Sequence, residues 1–214
     1  DEKVALVEPL AVGVGSIKRS KMFKGGNVVV VGAGTIGNCV AQAAKGLGAA
    51  KVMITDIDQP KLDYAQNECG IDFAVNTMNI SLKDAIIEKF GDAKADVIVD
   101  CVAAPPVFKS ILDAARPNSE IILTGNYKAP VELEIPRIQR NEISLIGHMM
   151  YVREDFEDAI RLLAEGKINT DKIISQVFTF DQYPDAMKFA DDNMKKAPAD
   201  REMIMKMVVK VAED

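Results

Sequence analysis

Four consecutive valines, Val28 to Val31, run directly into Gly32-Ala33-Gly34-Thr35-Ile36-Gly37, and an alanine-rich helical stretch follows. An unbroken apolar run suits a strand covered on both faces, which means a parallel sheet between layers of helix. A G-x-G-x-x-G recurs by chance, but between such a strand and a helix it is specific. Gly32 permits the tight strand-to-helix turn, Gly34 leaves its backbone open to a pyrophosphate, and Gly37 lets the helix pack closely. The N–H groups where that helix begins, at Thr35, then face the phosphates with the helix dipole behind them. The pattern predicts a dinucleotide site.

The rest of the chain supports that reading by its rhythm. Strands are expected at 52–55, 73–75, 97–99, 121–123 and 143–146, besides the valine run. Helices are expected between them at 35–47, 60–68, 81–90 and 105–115. Pro60 suits a first helical turn, and Ser81 with Asp84 three residues on forms an N-terminal cap. Strand–helix alternation of this kind predicts an α/β fold, a doubly wound parallel six-stranded sheet of the Rossmann type.

Asp56 closes the second strand, nineteen residues past Gly37. A carboxylate there accepts hydrogen bonds from the adenosine ribose hydroxyls and repels a 2′-phosphate. No arginine follows closely and Asp58 adds negative charge, so NAD(H) is expected rather than NADP(H). Lys61, the nearest cation, either lies over the adenosine ribose or sits on the helix surface. Flavin-binding proteins and S-adenosylmethionine methyltransferases use similar glycine turns. The former usually place theirs near the chain start, whereas 26 residues precede the first strand here.

The two ends depart from this rhythm. Residues 7–20 read as a helix with Pro9 near its start. Beyond about residue 150, Phe156, Ala159, Ile160 and Leu163 share one helical face, as do Tyr183, Ala186, Met187, Ala190 and Met194. Met203 to Val211 alternate as a half-buried strand, and residues 1–26 offer it no partner. That tail is expected to belong to a second domain whose remainder is missing.

The net charge of −6 argues against nucleic acid, and no apolar run approaches a membrane span. Cys39, Cys69 and Cys101 are far apart and include no C-x-x-C pair, and His148 is the only histidine. That usage predicts a reducing, cytoplasmic setting, no disulfide framework, and no metal held by this chain itself. The opening Asp1-Glu2-Lys3 leads us to expect a processed chain or a piece of a longer one.

Val7-Glu8-Pro9-Leu10-Ala11-Val12-Gly13, followed by a helix and the glycine turn, resembles the lead-in to the cofactor domain of zinc-dependent medium-chain alcohol and polyol dehydrogenases. Asp96 to Val102, Ala115-Arg116-Pro117 with Ile121 to Gly125, and Ile143 to Gly147 match the later strands in order. Through Glu-Pro-Leu, the polyol and threonine dehydrogenases are the most similar subgroup. The resemblance implies a linker helix at 1–22, an NAD-binding domain at 23–149 and a segment at 150–214 returning to an incomplete catalytic domain. It implies that Glu8 stands near the catalytic zinc of the full-length enzyme; read locally, Glu8 is simply an acid favouring a helix start.

By the same resemblance, Ile36 presses on the cofactor beside the pyrophosphate, and Val102 and Ala103 border the adenine and ribose. Gly125, Asn126, His148 and Met149 line the nicotinamide side. His148, read by itself, is a surface group rather than a catalyst. Two positions depart from the pattern: Ala103 stands where relatives often have glycine, and Met150 where a basic cofactor contact is common. The implied reaction passes hydride between an alcohol or polyol and NAD, with zinc only in the full-length enzyme, in a homodimer or homotetramer built on edge strands. The rivals are a stand-alone NAD-binding or redox-sensing module, against which an unpaired tail strand argues, and a methyltransferase.

Overall fold

Apolar side chains on both sides of the early strands require a helical layer on each side of the sheet, and residues 7–169 build that arrangement. The computed structural model describes residues 2–196 and 200–211. The first unit runs α1 (Val7–Lys18), β1 (Asn27–Val31), α2 (Thr35–Gly46), β2 (Lys51–Asp56), α3 (Gln59–Asn67), β3 (Phe73–Asn76) and α4 (Leu82–Phe90). It continues through β4 (Val97–Asp100), α5 (Pro105–Ala114), β5 (Glu120–Leu123), α6 (Ile135–Arg140), β6 (Ser144–Gly147) and α7 (Arg153–Ala164). The six strands are parallel in the order β3-β2-β1-β4-β5-β6. The doubly wound Rossmann sheet expected from the sequence is therefore present.

Alternation along the strands divides the core in two. Val28, Val30, Ile54 and Val99 face α1, α2 and α3, meeting Ile17, Val40 and Leu62. Val29, Val31, Met53 and Ile98 face α4 and α5, meeting Ile86, Phe108 and Ile111. Because β1 and β4 are neighbours in space but far apart in sequence, the chain reverses direction across the sheet between them. The turns after these two strands diverge and leave a crevice at their carboxyl ends.

Local chemistry sets the helix starts. Ser81 Oγ accepts from the Asp84 N–H at 3.1 Å, as the cap predicted. Asp58 caps α3 by accepting from the Lys61 N–H, ahead of Pro60. Helix α7 buries Asp155, Ala159 and Leu162, whereas Ile160 is exposed. The expected face of Phe156, Ala159, Ile160 and Leu163 is thus rotated. Asp155 turns inward because Lys18 on α1 meets it at 2.9 Å, and Gly15 leaves room for the carboxylate.

Residues 2–6 with the described part of 170–211 form the second unit, containing β7 (Ile174–Thr179), α8 (Tyr183–Lys195) and β8 (Lys206–Lys210). Here the sequence reading needs correction. The tail strand is paired: β8 runs parallel to β7, with an irregularity between Ile174 and Gln176. Ile-Ser-Gln-Val-Phe-Thr mixes polar and apolar residues, and that irregularity breaks its two-residue period, so the partner strand was hidden. On α8 the buried positions are Ala186 and Asn193, while Tyr183, Met187 and Met194 are exposed. Asn193 is drawn inward because its side chain donates to the Glu202 carbonyl at 2.9 Å and accepts the Glu202 N–H at 2.9 Å.

Candidate functional site

The crevice is built around the glycine turn. Gly32 has φ +104° and its N–H donates to the Thr55 carbonyl at 2.7 Å, stitching the end of β1 to β2. At Gly37 an added Cβ would lie 1.7 Å from the Gly32 carbonyl oxygen, so only glycine allows the first turn of α2 to close on the loop. Gly34 is the opposite case, with nothing within 4 Å of where a side chain would begin. The Asn38 side chain donates to the carbonyls of Ala33 at 2.7 Å and Gly34 at 3.1 Å, bracing the loop from behind. No side chain caps α2 at Gly34. A braced loop, an open Gly34 and a helix start without a side-chain cap make an anion cradle.

Asp56 fixes the same loop from β2. One carboxylate oxygen accepts from the Ala33 N–H at 2.6 Å, and the other from Ile57 and Asp58 at 2.7 and 3.0 Å. The carboxylate is thus pinned at the rim by backbone donors and ready to accept from hydroxyls. The Lys61 ammonium pairs with Asp58 at 3.3 Å. Below Asp56 opens a cavity of about 400 Å³, bordered by Val31, Gly32, Thr55, Asp56, Ile57, Val102 and Val107, with hydroxyl residues Thr77, Ser81 and Ser110. Its walls are mainly apolar with a few polar groups, the usual make-up of a site for a flat organic ligand.

The turn after β4 forms the opposite wall. Asp100 is fully buried, and its carboxylate accepts from the N–H groups of Val102 at 2.9 Å and Ala103 at 3.1 Å and from the Tyr127 hydroxyl. Burial, with Asp100 as hydrogen-bond acceptor, pushes the Tyr127 hydroxyl well above the ordinary tyrosine range. Ala103 holds φ +59°, a left-handed conformation that favours glycine. Gly125 is pressed against it, since an added Cβ there would stand 2.8 Å from the Ala103 Cβ. Thr124 is tied to α1 through Ser16, the two hydroxyl oxygens 2.6 Å apart.

The remaining expected residues are placed as follows. Ile36 is half-buried against the core on the α1 side, in the first turn of α2. Asn126 and Met149 are exposed. His148 is buried rather than at the surface, a correction to its local reading: Nε2 meets the Val12 carbonyl at 3.1 Å and the ring lies over Gly15. Burial is the main reason its pKa falls below the ordinary histidine value. Glu8 is exposed in the first turn of α1. Among the described residues no group of three or more His, Cys, Asp or Glu could hold a metal ion. Burial chiefly pushes the Cys69 thiol up to about 11.

Residues 35–165 match the zinc-binding dehydrogenase family. The chain belongs to that family. It corresponds to the NAD-binding domain of that oxidoreductase family. Among its relatives, the sorbitol dehydrogenase of Halalkalibacterium halodurans is 33% identical over 189 residues, covering 87% of this chain and 54% of the relative. The L-idonate 5-dehydrogenase of Escherichia coli superimposes with a TM-score of 0.83 at 28% identity, over 98% of this chain and 57% of that structure. An alcohol dehydrogenase from E. coli CFT073, solved with NADH, gives 0.80 at 26% identity over 89% and 56%. The chain spans about half the length of the curated relatives it matches.

Several cavity residues escaped the sequence reading. Thr55, Thr77, Ile80, Ser81, Leu82, Val107 and Ser110 all border it. Of these the sequence marks only Ser81, and as a cap. Thr55 was within reach of sequence logic, because it shares the two-residue period of Met53. The others come from turns and helices whose approach to β2 is a tertiary matter.

Proposed function

We propose that this chain is the half of an NAD-dependent alcohol or polyol dehydrogenase that holds and orients the dinucleotide. The observation that carries the reading is the glycine turn, crowded at Gly32 and Gly37 yet open at Gly34, beside a pinned Asp56 and a cavity of about 400 Å³. The backbone at Gly34, Thr35 and Gly37 holds the pyrophosphate, with Ile36 against it. Asp56 accepts from the adenosine ribose hydroxyls, and Val102 and Ala103 border the adenosine. Gly125, Asn126 and Met149 line the nicotinamide side, and His148 contributes its backbone there because its ring is engaged with Val12. Lys61 is occupied by Asp58, which leaves a 2′-phosphate without an obvious cation and supports NAD(H).

When bound, the nicotinamide ring supplies the hydride acceptor. This chain's residues position the dinucleotide and offer backbone N–H groups to its phosphates. Among the described residues no group of three or more His, Cys, Asp or Glu could hold the zinc. Glu8 in α1 is its contribution near a metal in a longer protein. The alcohol or polyol class follows the names of the relatives, and the free edge of β6 supports a homodimer or homotetramer. A cytoplasmic setting is supported by three cysteines that form no disulfide; among the described residues no helix is long and apolar enough to cross a membrane.

The β7–β8 pairing favours one second reading, a module that binds NAD without turnover, because the tail strand is no longer unpaired. Titrating the full chain with NADH and NADPH by nicotinamide fluorescence tests the first reading. NADH should bind more tightly, Asp56→Ala should weaken it, and Gly34→Val should block it. Equal affinity for both, or none for either, defeats the assignment.

A further inference from the structure

The backbone N–H groups from Gly32 to Thr35 divide into two pairs. Gly32 donates to the Thr55 carbonyl at 2.7 Å and Ala33 to the Asp56 carboxylate at 2.6 Å, so the first pair is spent on β2. The direction of the second pair is set by Asn38 in the first turn of α2. Its Nδ2 donates to the Ala33 carbonyl at 2.7 Å and to the Gly34 carbonyl at 3.1 Å. Among the described residues no peptide bond is cis, and in a trans peptide the carbonyl and the following N–H point opposite ways. Drawing the Ala33 and Gly34 carbonyls in to a fully buried amide therefore turns the N–H groups of Gly34 and Thr35 away from it. Gly34 keeps the approach open, with nothing within 4 Å of an added Cβ.

Packing alone does not call for an asparagine here. Asn38 is fully buried, and its Oδ1 has no hydrogen-bond partner among the described residues. A leucine of similar shape would bury in its place with no polar atom left unpaired, so the amide carries a cost that the core does not require. We propose that Asn38 is a positioning residue for the pyrophosphate, an inference that rests on the dinucleotide reading above. It touches no ligand. It holds two peptide planes so that the Gly34 and Thr35 N–H groups meet phosphate oxygens already aligned, as charge-assisted hydrogen bonds at a helix start. Asp56 ties the loop to β2, and Asn38 ties it to α2.

The test follows NADH binding to the full wild-type chain, Asn38→Leu and Asn38→Ser by nicotinamide fluorescence, and the Gly34 amide by NMR. Asn38→Leu should bind NADH about tenfold more weakly, the scale of a charge-assisted hydrogen bond lost to misalignment. Asn38→Ser should fall between, because a serine on a helix can donate back to the carbonyl four residues earlier, which is that of Gly34. NADH should move the wild-type Gly34 amide proton downfield, as a new bond to a phosphate oxygen does, and move it less far in Asn38→Leu. A residue that merely braces the fold would change the melting temperature and leave that shift as it is. Wild-type affinity in Asn38→Leu, or weaker binding with an unchanged Gly34 shift, overturns the proposal and leaves the dinucleotide reading standing. If Asn38→Leu does not fold, the same two measurements on Asn38→Ser decide. A wild-type chain that binds NADH without moving the Gly34 amide overturns this proposal alone, and one that binds no NADH overturns both.

Discussion

β1 and β4 are buried along nearly their whole length, whereas β7 and β8 are half-exposed at almost every position. All four strands run parallel to their neighbours. The difference lies in what covers them: β1 and β4 sit inside a six-stranded sheet with a helical core on each face, and β7 pairs only with β8. A parallel ladder gains little by itself and a two-stranded one is marginal in water, so stability comes from two-sided burial. The comparison also explains legibility. A strand buried on both faces must be apolar throughout, which the sequence displays openly, while a half-covered strand such as Ile174–Thr179 need not be.

The largest expected effect that would break this comparison comes from Gly37→Ala. Its Cβ would meet a backbone oxygen that cannot step aside, so the 7–169 unit should lose about 3 kcal/mol in chemical denaturation. Equal loss of β7–β8 signals would show that the two units unfold as one. Native-state hydrogen exchange sharpens the contrast: amides of β1 and β4 should exchange about a hundredfold more slowly than those of β7 and β8. Comparable rates would mean that burial pattern is a poor guide to local stability here.

Within the sheet unit, Ala103→Gly relieves a left-handed φ of +59° and should stabilise by about 0.5–1 kcal/mol, read as a shift in the denaturation midpoint. The smallest effect concerns His148. Burial, helped by Arg19, lowers its pKa, and the Val12 carbonyl, Asp155 and the Met150 backbone oppose the shift. The unfolded chain therefore takes up the proton first. The stability from the neutral buried ring is present above about pH 6.5 and declines as pH falls through the lowered folded value. His148→Gln should flatten that slope; an unchanged slope would assign it to carboxylates instead.

The valine run, the glycine turn, the six strands and the four helices between the first five of them were legible in the sequence alone, because covering a parallel sheet on both faces leaves few choices of residue; the short α6 was not. Asp56 was legible for a related reason: its place at the end of β2 follows from strand length. The facing of α7 was not, since Asp155 is drawn inward by Lys18, a partner 137 residues away in sequence. Nor was the depth of the cavity, which Thr55 of β2 and Val107 and Ser110 of α5 border together only in the folded sheet. Sequence period decides which way a side chain faces on its own element. What it faces depends on elements brought together by the packing of the whole sheet.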